Sequence, residues 1–395
     1  MTRRLAYCTA LLLAGCATTP EPPSVPDESV PAPVEQPAPP PPSVPPPPDR
    51  STMRISVAAV GDMMLGTDFP DNRLPDDDGV GFLAAVTDTL SRADIAFGNV
   101  EGVLIDGGEP AKRCSNPRAC YLFRSPTRYA AHFANAGFDV VSLANNHARD
   151  FGEEGRTASM NAFAALGIHH SGRVGDIASW RTKDLDIALV AFAVTRNSNM
   201  MLDIVPAATT VAELASDHDI VIVSFHGGAE GLDAMHVPFA EETYYNEPRG
   251  DVVAFSRAMV DSGADLVIGH GPHVVRGMER YKERLIAYSL GNFATYYGIS
   301  VQGMKGVAPI LTVTMDGDGR MVGGNIESTH QVRPGGPIPD PEARALYMIR
   351  HLSKKDFGDP GLEFMPCGTL IPTERTYVKS HEDAALANTT DEASE

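Results

Sequence analysis

The stretch Met53-Arg54-Ile55-Ser56-Val57-Ala58-Ala59-Val60-Gly61-Asp62 decides how this chain is read. Toward its end it is apolar on both faces, so it reads as a strand, and it stops at Gly61-Asp62. The same pattern recurs downstream. Residues 94–98 form a short strand that delivers Asn99 and Glu101, and residues 139–144 run into Asn145-Asn146-His147. Residues 219–225 end at His226, and residues 265–268 lead into Gly269-His270-Gly271-Pro272-His273. Residues 186–194 are a further buried strand. Helical stretches are expected at 82–90, 126–136, 154–166 and 252–262, the second with Pro126 in its first turn. Buried strands alternating with helices predict a layered α/β fold. Carboxylates, amides and imidazoles then stand at strand ends, where ligands bind in such folds. Residues 285–290, 310–315 and 320–326 are strand-like with no helix between them, which predicts a second, more antiparallel sheet. Residues 341–355 fit one surface helix.

The amino terminus gives an address. Arg3 and Arg4 precede a short apolar run, and Leu13-Ala14-Gly15-Cys16 closes it. The run is too short to span a bilayer and reads as an export signal over residues 1–15. Its ending resembles the lipobox of bacterial lipoproteins, in which Cys16 carries the lipid; an ordinary secretory signal cut near residues 14–17 is the alternative. Ala17 after the cysteine is similar to lipoproteins sorted to the outer membrane of a two-membrane cell, facing periplasm or surface. Residues 20–48 hold 15 prolines. Such a tract buries no core and makes residues 16–52 a semi-rigid tether, reaching on the order of 90 Å at about 3.1 Å per residue.

The formal net charge is -19. That argues against nucleic acid and against anionic lipid head groups as partners, and it suits cations. No run of 18 apolar residues follows the signal. Cys114 and Cys120 lie in a polar loop and are expected to pair in an exported protein, with a metal-binding pair as the rival. Cys367 is left over.

Paired divalent ions need hard or borderline ligands, one of them bridging ions about 3.5–4 Å apart. Asp62 follows a strand and a glycine and is a good first ligand. Glu101 could bridge, with Asn99 orienting it. Gly269 and Pro272 shape a turn from which His270 and His273 can converge. Asn146 offers a neutral carbonyl oxygen, and His147 beside it can serve as proton donor. His226, with Gly227-Gly228 giving room and Glu230 nearby, can ligate or orient. Asp62 and Glu101 can also be read as turn or capping residues. Asp150 is read as a fold-supporting hydrogen-bond partner, and His169, His170 and His236 lack a comparable setting.

Six segments in order carry a family likeness. They are Ala59-Val-Gly-Asp-Met-Met-Leu-Gly66, Gly98-Asn-Val-Glu-Gly102, Leu143-Ala-Asn-Asn-His-Ala-Arg-Asp-Phe-Gly152, Ser224-Phe-His-Gly-Gly-Ala-Glu230, Gly269-His-Gly-Pro-His-Val-Val275 and Tyr288-Ser-Leu-Gly-Asn-Phe293. Together they resemble the bacterial capsule synthesis family CapA, associated with poly-γ-glutamate and placed within the calcineurin-like metallophosphatase superfamily. The resemblance covers about residues 53–315 and implies a β-sandwich flanked by helices. It implies Asp62, Glu101 as bridge, Asn146, His226, His270 and His273 as metal ligands, with His147 protonating the leaving group. It also implies divalent ions, two in number, of manganese, iron or zinc. Two departures from the wider superfamily stand out. Asp62 is followed by Met63-Met64 where Asp-x-His is usual, and a glutamate stands in place of the bridging aspartate.

The resulting expectation is a metal-dependent phosphoester hydrolase of the cell envelope. Its partner would be an anionic small molecule or envelope polymer, met locally by the metals and by Arg113 or Arg124, with Glu230 also at the substrate. Two rivals remain: a non-catalytic export or anchoring protein for an envelope polymer, and a metal-dependent peptidase or amidase. The expected organisation beyond the tether is a metallophosphatase-like domain at 53–330, a packed extension at 331–381 and a disordered tail at 382–395.

Overall fold

A computed structural model describes residues 49–112 and 121–374. The export signal, Cys16, the proline tract, Arg113, the Cys114–Cys120 pair and the tail lie outside the described residues.

In the strand Ile55–Met64 every residue except Ser56 is buried. It lies mid-sheet, parallel to Ile95–Val100 on one side and antiparallel to Val307–Met315 on the other. Parallel pairing continues outward through Val140–Ser142 to His169–Ser171. On the far side Met321–Gln331 pairs antiparallel with Val307–Met315 and carries the hairpin Leu362–Phe364/Thr369–Pro372. A second sheet runs Leu185–Ala193, Ile220–His226, Leu266–His270 and Arg284–Ala287 in parallel, with antiparallel edges Ala178–Thr182 and Met278–Tyr281.

Alternation along the strands builds three packed layers. Ile55, Val57 and Ala59 from the first sheet share one cluster with Ile187, Leu189, Ile222 and Ile268 from the second, so the sheets meet face to face. Ala58 and Val60 face the other way, onto Leu83, Phe133 and Phe163. Val190, Val223 and Val267 pack beneath the helices Ile204–Asp217 and Val252–Asp261 through Val211, Phe255 and Met259.

The late strands do not form a separate antiparallel sheet. Val307–Met315 and Met321–Gln331 complete the first sheet, because Leu311, Val313, Met315 and Ile326 are needed to close the inter-sheet core. Arg284–Ala287 joins the second sheet in parallel. The expected helix at 82–90 is a series of turns that becomes α-helical only at Thr87–Leu90. The helix Ile204–Asp217 went unread, since Pro206 and β-branched neighbours hide its period; Pro206 sits in its first turn, where no amide donor is required. The helix Arg344–Phe357 buries Leu346, Ile349 and Leu352 against the core between the sheets.

Candidate metal centre

Strand pleating alone would turn Asp62 away from the second sheet, because it shares the parity of Ala58 and Val60. A bulge corrects this. Ala59 pairs with Phe97 but Asp62 pairs with Asn99, so three steps on one strand match two on the other. The surplus residue rotates Asp62 onto the inner face. Gly61 lies within the irregularity; a Cβ there would sit 2.0 Å from the Gly291 carbonyl oxygen, the oxygen that accepts from Asp62 N at 2.8 Å. Glu101 continues the inner parity of Phe97 and Asn99, and its amide donates to Met63 O at 2.9 Å.

The second sheet supplies the imidazoles. His226 and His270 are direct neighbours on parallel strands. Gly269 is a close-approach position, where a Cβ would meet Tyr288 O at 2.3 Å. The turn through Gly271 (φ +111) brings back His273, itself left-handed at φ 57.

The carboxyl ends of both sheets therefore converge. His270 Nδ1 lies 3.3 Å from Asp62 Oδ1, and His273 Nδ1 lies 3.1 Å from Asp62 Oδ2. Glu101 Oε1 is 3.6 Å from His273 Nε2, 3.8 Å from His226 Nε2 and 3.9 Å from His147 Nε2. Asp62, Glu101 and His226 each offer a ligand atom, all within 4.8 Å of one another. Asn292 Oδ1 faces His273 Nδ1 at 2.9 Å, which leaves Nε2 toward Glu101.

Hydrogen bonding tests whether these groups suit a cation. Asp62 Oδ2, both Glu101 oxygens, Asn146 Oδ1 and both ring nitrogens of His226 and of His270 are buried without a hydrogen-bond partner. Buried polar atoms are nearly always partnered, so such a concentration in one place points to an absent ligand. A mixed carboxylate, amide and imidazole set fits a borderline divalent ion.

The electrostatics agree. Burial opposes ionisation of Asp62, yet the adjacent His270 and His273 rings outweigh it and hold the carboxyl below its usual range. Burial pushes Glu101 up to about 8, with Asp62 and Glu230 adding to the effect against His273. Burial pulls His273 down, but Glu101, Asp62 and Glu230 prevail and raise it to about 10. Burial takes His226 well below its usual value.

His147 stands beside this group. Its Nδ1 is 2.7 Å from Asp150 Oδ2, and the Phe123 ring lies 4.3 Å away, tilted by 32°. Nε2 is thereby the nitrogen turned to Glu101. Burial lowers the His147 pKa, with Asp150 pulling the other way. A cleft of about 240 Å³ opens here, lined among others by Glu101, His147, Glu230, Tyr244, His273 and Lys305.

Three sequence expectations change. Arg124 does not line the cleft; it pairs with Asp68 Oδ1 at 2.6 Å and lies against Phe69 and Phe151, because alternation with Phe123 sends it the other way. Asn99 orients Asp62, donating to its Oδ1 at 2.9 Å, and its own oxygen accepts from Asn145 at 3.2 Å. Asp150 supports the fold through its carboxylate bond to Phe123 N at 2.8 Å, but the same oxygen also holds His147. Its spacing three residues after the histidine was the available signal. Glu230 does line the cleft, 3.0 Å from Arg249 Nη1 and 4.0 Å from His273 Nε2. Lys112, Phe123, Tyr244 and Lys305 were missed, since no motif marks them.

Two face-to-face sheets between helices, with carboxylate, amide and imidazole groups at their carboxyl ends, define the class: a layered α/β domain with a candidate metal centre where its two sheets converge. A family model described as bacterial capsule synthesis protein PGA_cap matches residues 56–297, and the chain belongs to that family. It is 26% identical over 268 residues to the capsule biosynthesis protein CapA of Bacillus anthracis, covering 62% of this chain and 60% of that protein. It is 30% identical over 173 residues to the PGA biosynthesis protein CapA of Bacillus subtilis strain 168, covering 40% and 42%. The matches therefore span less than two thirds of either relative. Among solved structures, a putative 5'-nucleotidase from Staphylococcus aureus, in complex with alpha-ketoglutarate, superposes with a TM-score of 0.39 at 13% identity, covering 84% of this chain and 62% of that one. No helix among the described residues is long and apolar enough to cross a membrane.

Proposed function

We propose that this protein is a divalent-metal-dependent hydrolase of the cell envelope that cleaves a phosphoester, in connection with capsule or poly-γ-glutamate metabolism. One observation carries the reading: unpartnered ligand atoms from both sheets meet, and Glu101 among them opens onto a cleft. Asp62, Glu101, Asn146, His226, His270 and His273 would hold manganese, iron or zinc. Such ions, when bound, lower the pKa of a water and offset charge on phosphoryl oxygens.

The remaining work falls to the chain. Asp150 fixes the His147 ring through Nδ1 and leaves Nε2 facing the cleft. In its protonated form His147 donates to the departing alkoxide. Asn99 and Asn292 hold Asp62 and His273 in place. The names of the relatives support a capsule setting. A lipid on Cys16 and the proline tether would keep the domain in the envelope, where an anionic small molecule or envelope polymer is the substrate.

The test is purified protein with its metal content measured, assayed on phosphomonoesters and phosphodiesters with added manganese, iron or zinc. Turnover well above a His147→Ala control supports the reading. Metal-loaded protein with no more turnover than that control sinks it, and points to ion-dependent binding of a polymer instead. Release of amines rather than phosphate from envelope peptides would make it an amidase.

A further inference from the structure

We infer that Lys305 selects the substrate by taking a second anionic group, one carried on the phosphoester beyond the phosphoryl being cleaved. This rests on the hydrolase reading above and names its substrate class.

The cationic side chains around the cleft are not equivalent. Lys112 is 3.3 Å from Asp150 Oδ1, Arg249 is 3.0 Å from Glu230 Oε1, and Arg124 is bound to Asp68. Lys305 lines the same cleft as Glu101, His147 and His273, and among the described residues its ammonium has no carboxylate partner. The Glu230 side is therefore balanced by Arg249, whereas the Lys305 side carries uncompensated positive charge. In a chain of formal charge -19, such a group is a local source of attraction for an anion.

Lys305 is also held in register with the metal ligands. The buried Asn292 side chain donates through Nδ2 to Lys305 O at 3.0 Å, Ser300 O at 3.2 Å and His273 O at 3.1 Å. Its Oδ1 meets the His273 ring. One amide thus fixes the backbone of Lys305 against His273. The turn Gly303–Gly306 is tight, and a Cβ on Gly306 would come within 2.3 Å of Val301 O. A lysine on so constrained a backbone loses less freedom when it binds than one on a loose loop.

The experiment compares a nitrophenyl phosphate carrying a ring carboxylate with its methyl ester, which differ in one negative charge and one methyl group. The metal-loaded full chain is assayed as wild type, Lys305→Met and Lys305→Arg, with melting temperatures as a folding control. Wild type is expected to favour the acid by about tenfold in kcat/KM, mainly through KM, as a charge-assisted contact would give. In Lys305→Met the ratio should collapse toward one, and Lys305→Arg should retain most of it. A ratio unchanged in a well-folded Lys305→Met, or no preference in wild type, overturns the assignment. Should metal-loaded wild type cleave neither compound, the hydrolase reading stands or falls on the wider ester assay above, and binding of the two corresponding phosphonates decides the role of Lys305. Tighter binding of the acid to wild type but not to Lys305→Met upholds Lys305 as the anion site; equal binding of both overturns it.

Discussion

Arg276 and Glu242 are nearly as buried as Asp62 and Glu101, yet the two regions treat charge in opposite ways. Arg276 makes a two-pronged contact with Glu242 at 2.8 and 2.7 Å, and its Nε donates to Ala234 O at 2.7 Å. Glu242 Oε2 further accepts from Ala229 N at 2.9 Å. Arg257 and Glu279 repeat the arrangement at 2.9 and 3.0 Å, with Tyr288 adding a bond at 2.7 Å. Around Glu101 neither oxygen has a hydrogen-bond donor. One region completes itself with protein atoms, and the other is complete only with something from outside. The contrast matters because it separates buried charge that serves architecture from buried charge that serves a ligand.

The largest expected effect is on turnover. Glu101→Gln or Asp62→Asn should lower hydrolysis by about 10³-fold or more, since several kcal/mol of charge stabilisation depends on the ions. In chelator Glu101→Gln should melt no lower than wild type, because the carboxyl it replaces is buried with no hydrogen-bond donor on either oxygen. A clear drop in that melting temperature would break the comparison.

Arg276→Met should do the reverse, costing about 3–5 kcal/mol in urea denaturation by leaving Glu242 buried without a counter-ion. The double replacement Arg276→Met/Glu242→Met should recover much of that loss. Next comes the proton donor: His147→Gln is expected to reduce kcat by about 10²-fold with metal content unchanged. Asp150→Asn acts through His147 and should cost about tenfold. It should also move the alkaline limb of the pH profile to lower pH, because the Asp150 charge is what raises the His147 pKa against burial.

Asp265 lies between the two extremes and gives the smallest effect. Burial lifts it from 3.8 to about 6, although Val221 N and Arg284 hydrogen-bond to it. A folded-state value above the unfolded one means that the folded protein binds more protons within that window. Stability should then fall by about 1–3 kcal/mol as pH rises from about 4 to 6, and Asp265→Asn should flatten that slope.

Strand identity was legible because burial on both faces leaves a continuous apolar run, as in 55–60, 219–225 and 265–268. Each of those runs names the polar group at its end. What pairs with what was less legible. Nothing in 307–331 says that these strands close the first sheet, since pairing depends on which edge is open. The bulge before Asp62 is equally silent, because it is a relation between two strands. Tyr244 and Lys305 reach the cleft from segments distant in sequence, which come together only after folding. Arg124 misled for a related reason: its side of the chain is set by a two-residue strand, Arg124–Ser125, paired with Val103–Leu104.

The irregularity between Ala59 and Asp62 makes strand register, rather than residue identity, the switch for cation binding. A strand that kept all its residues but paired one-to-one with Ile95–Val100 would present Asp62 to the helical layer instead, with all six donors still in the sequence. Such a protein should still build both sheets while losing its grip on the ion, so a comparison of relatives by motif alone would miss it.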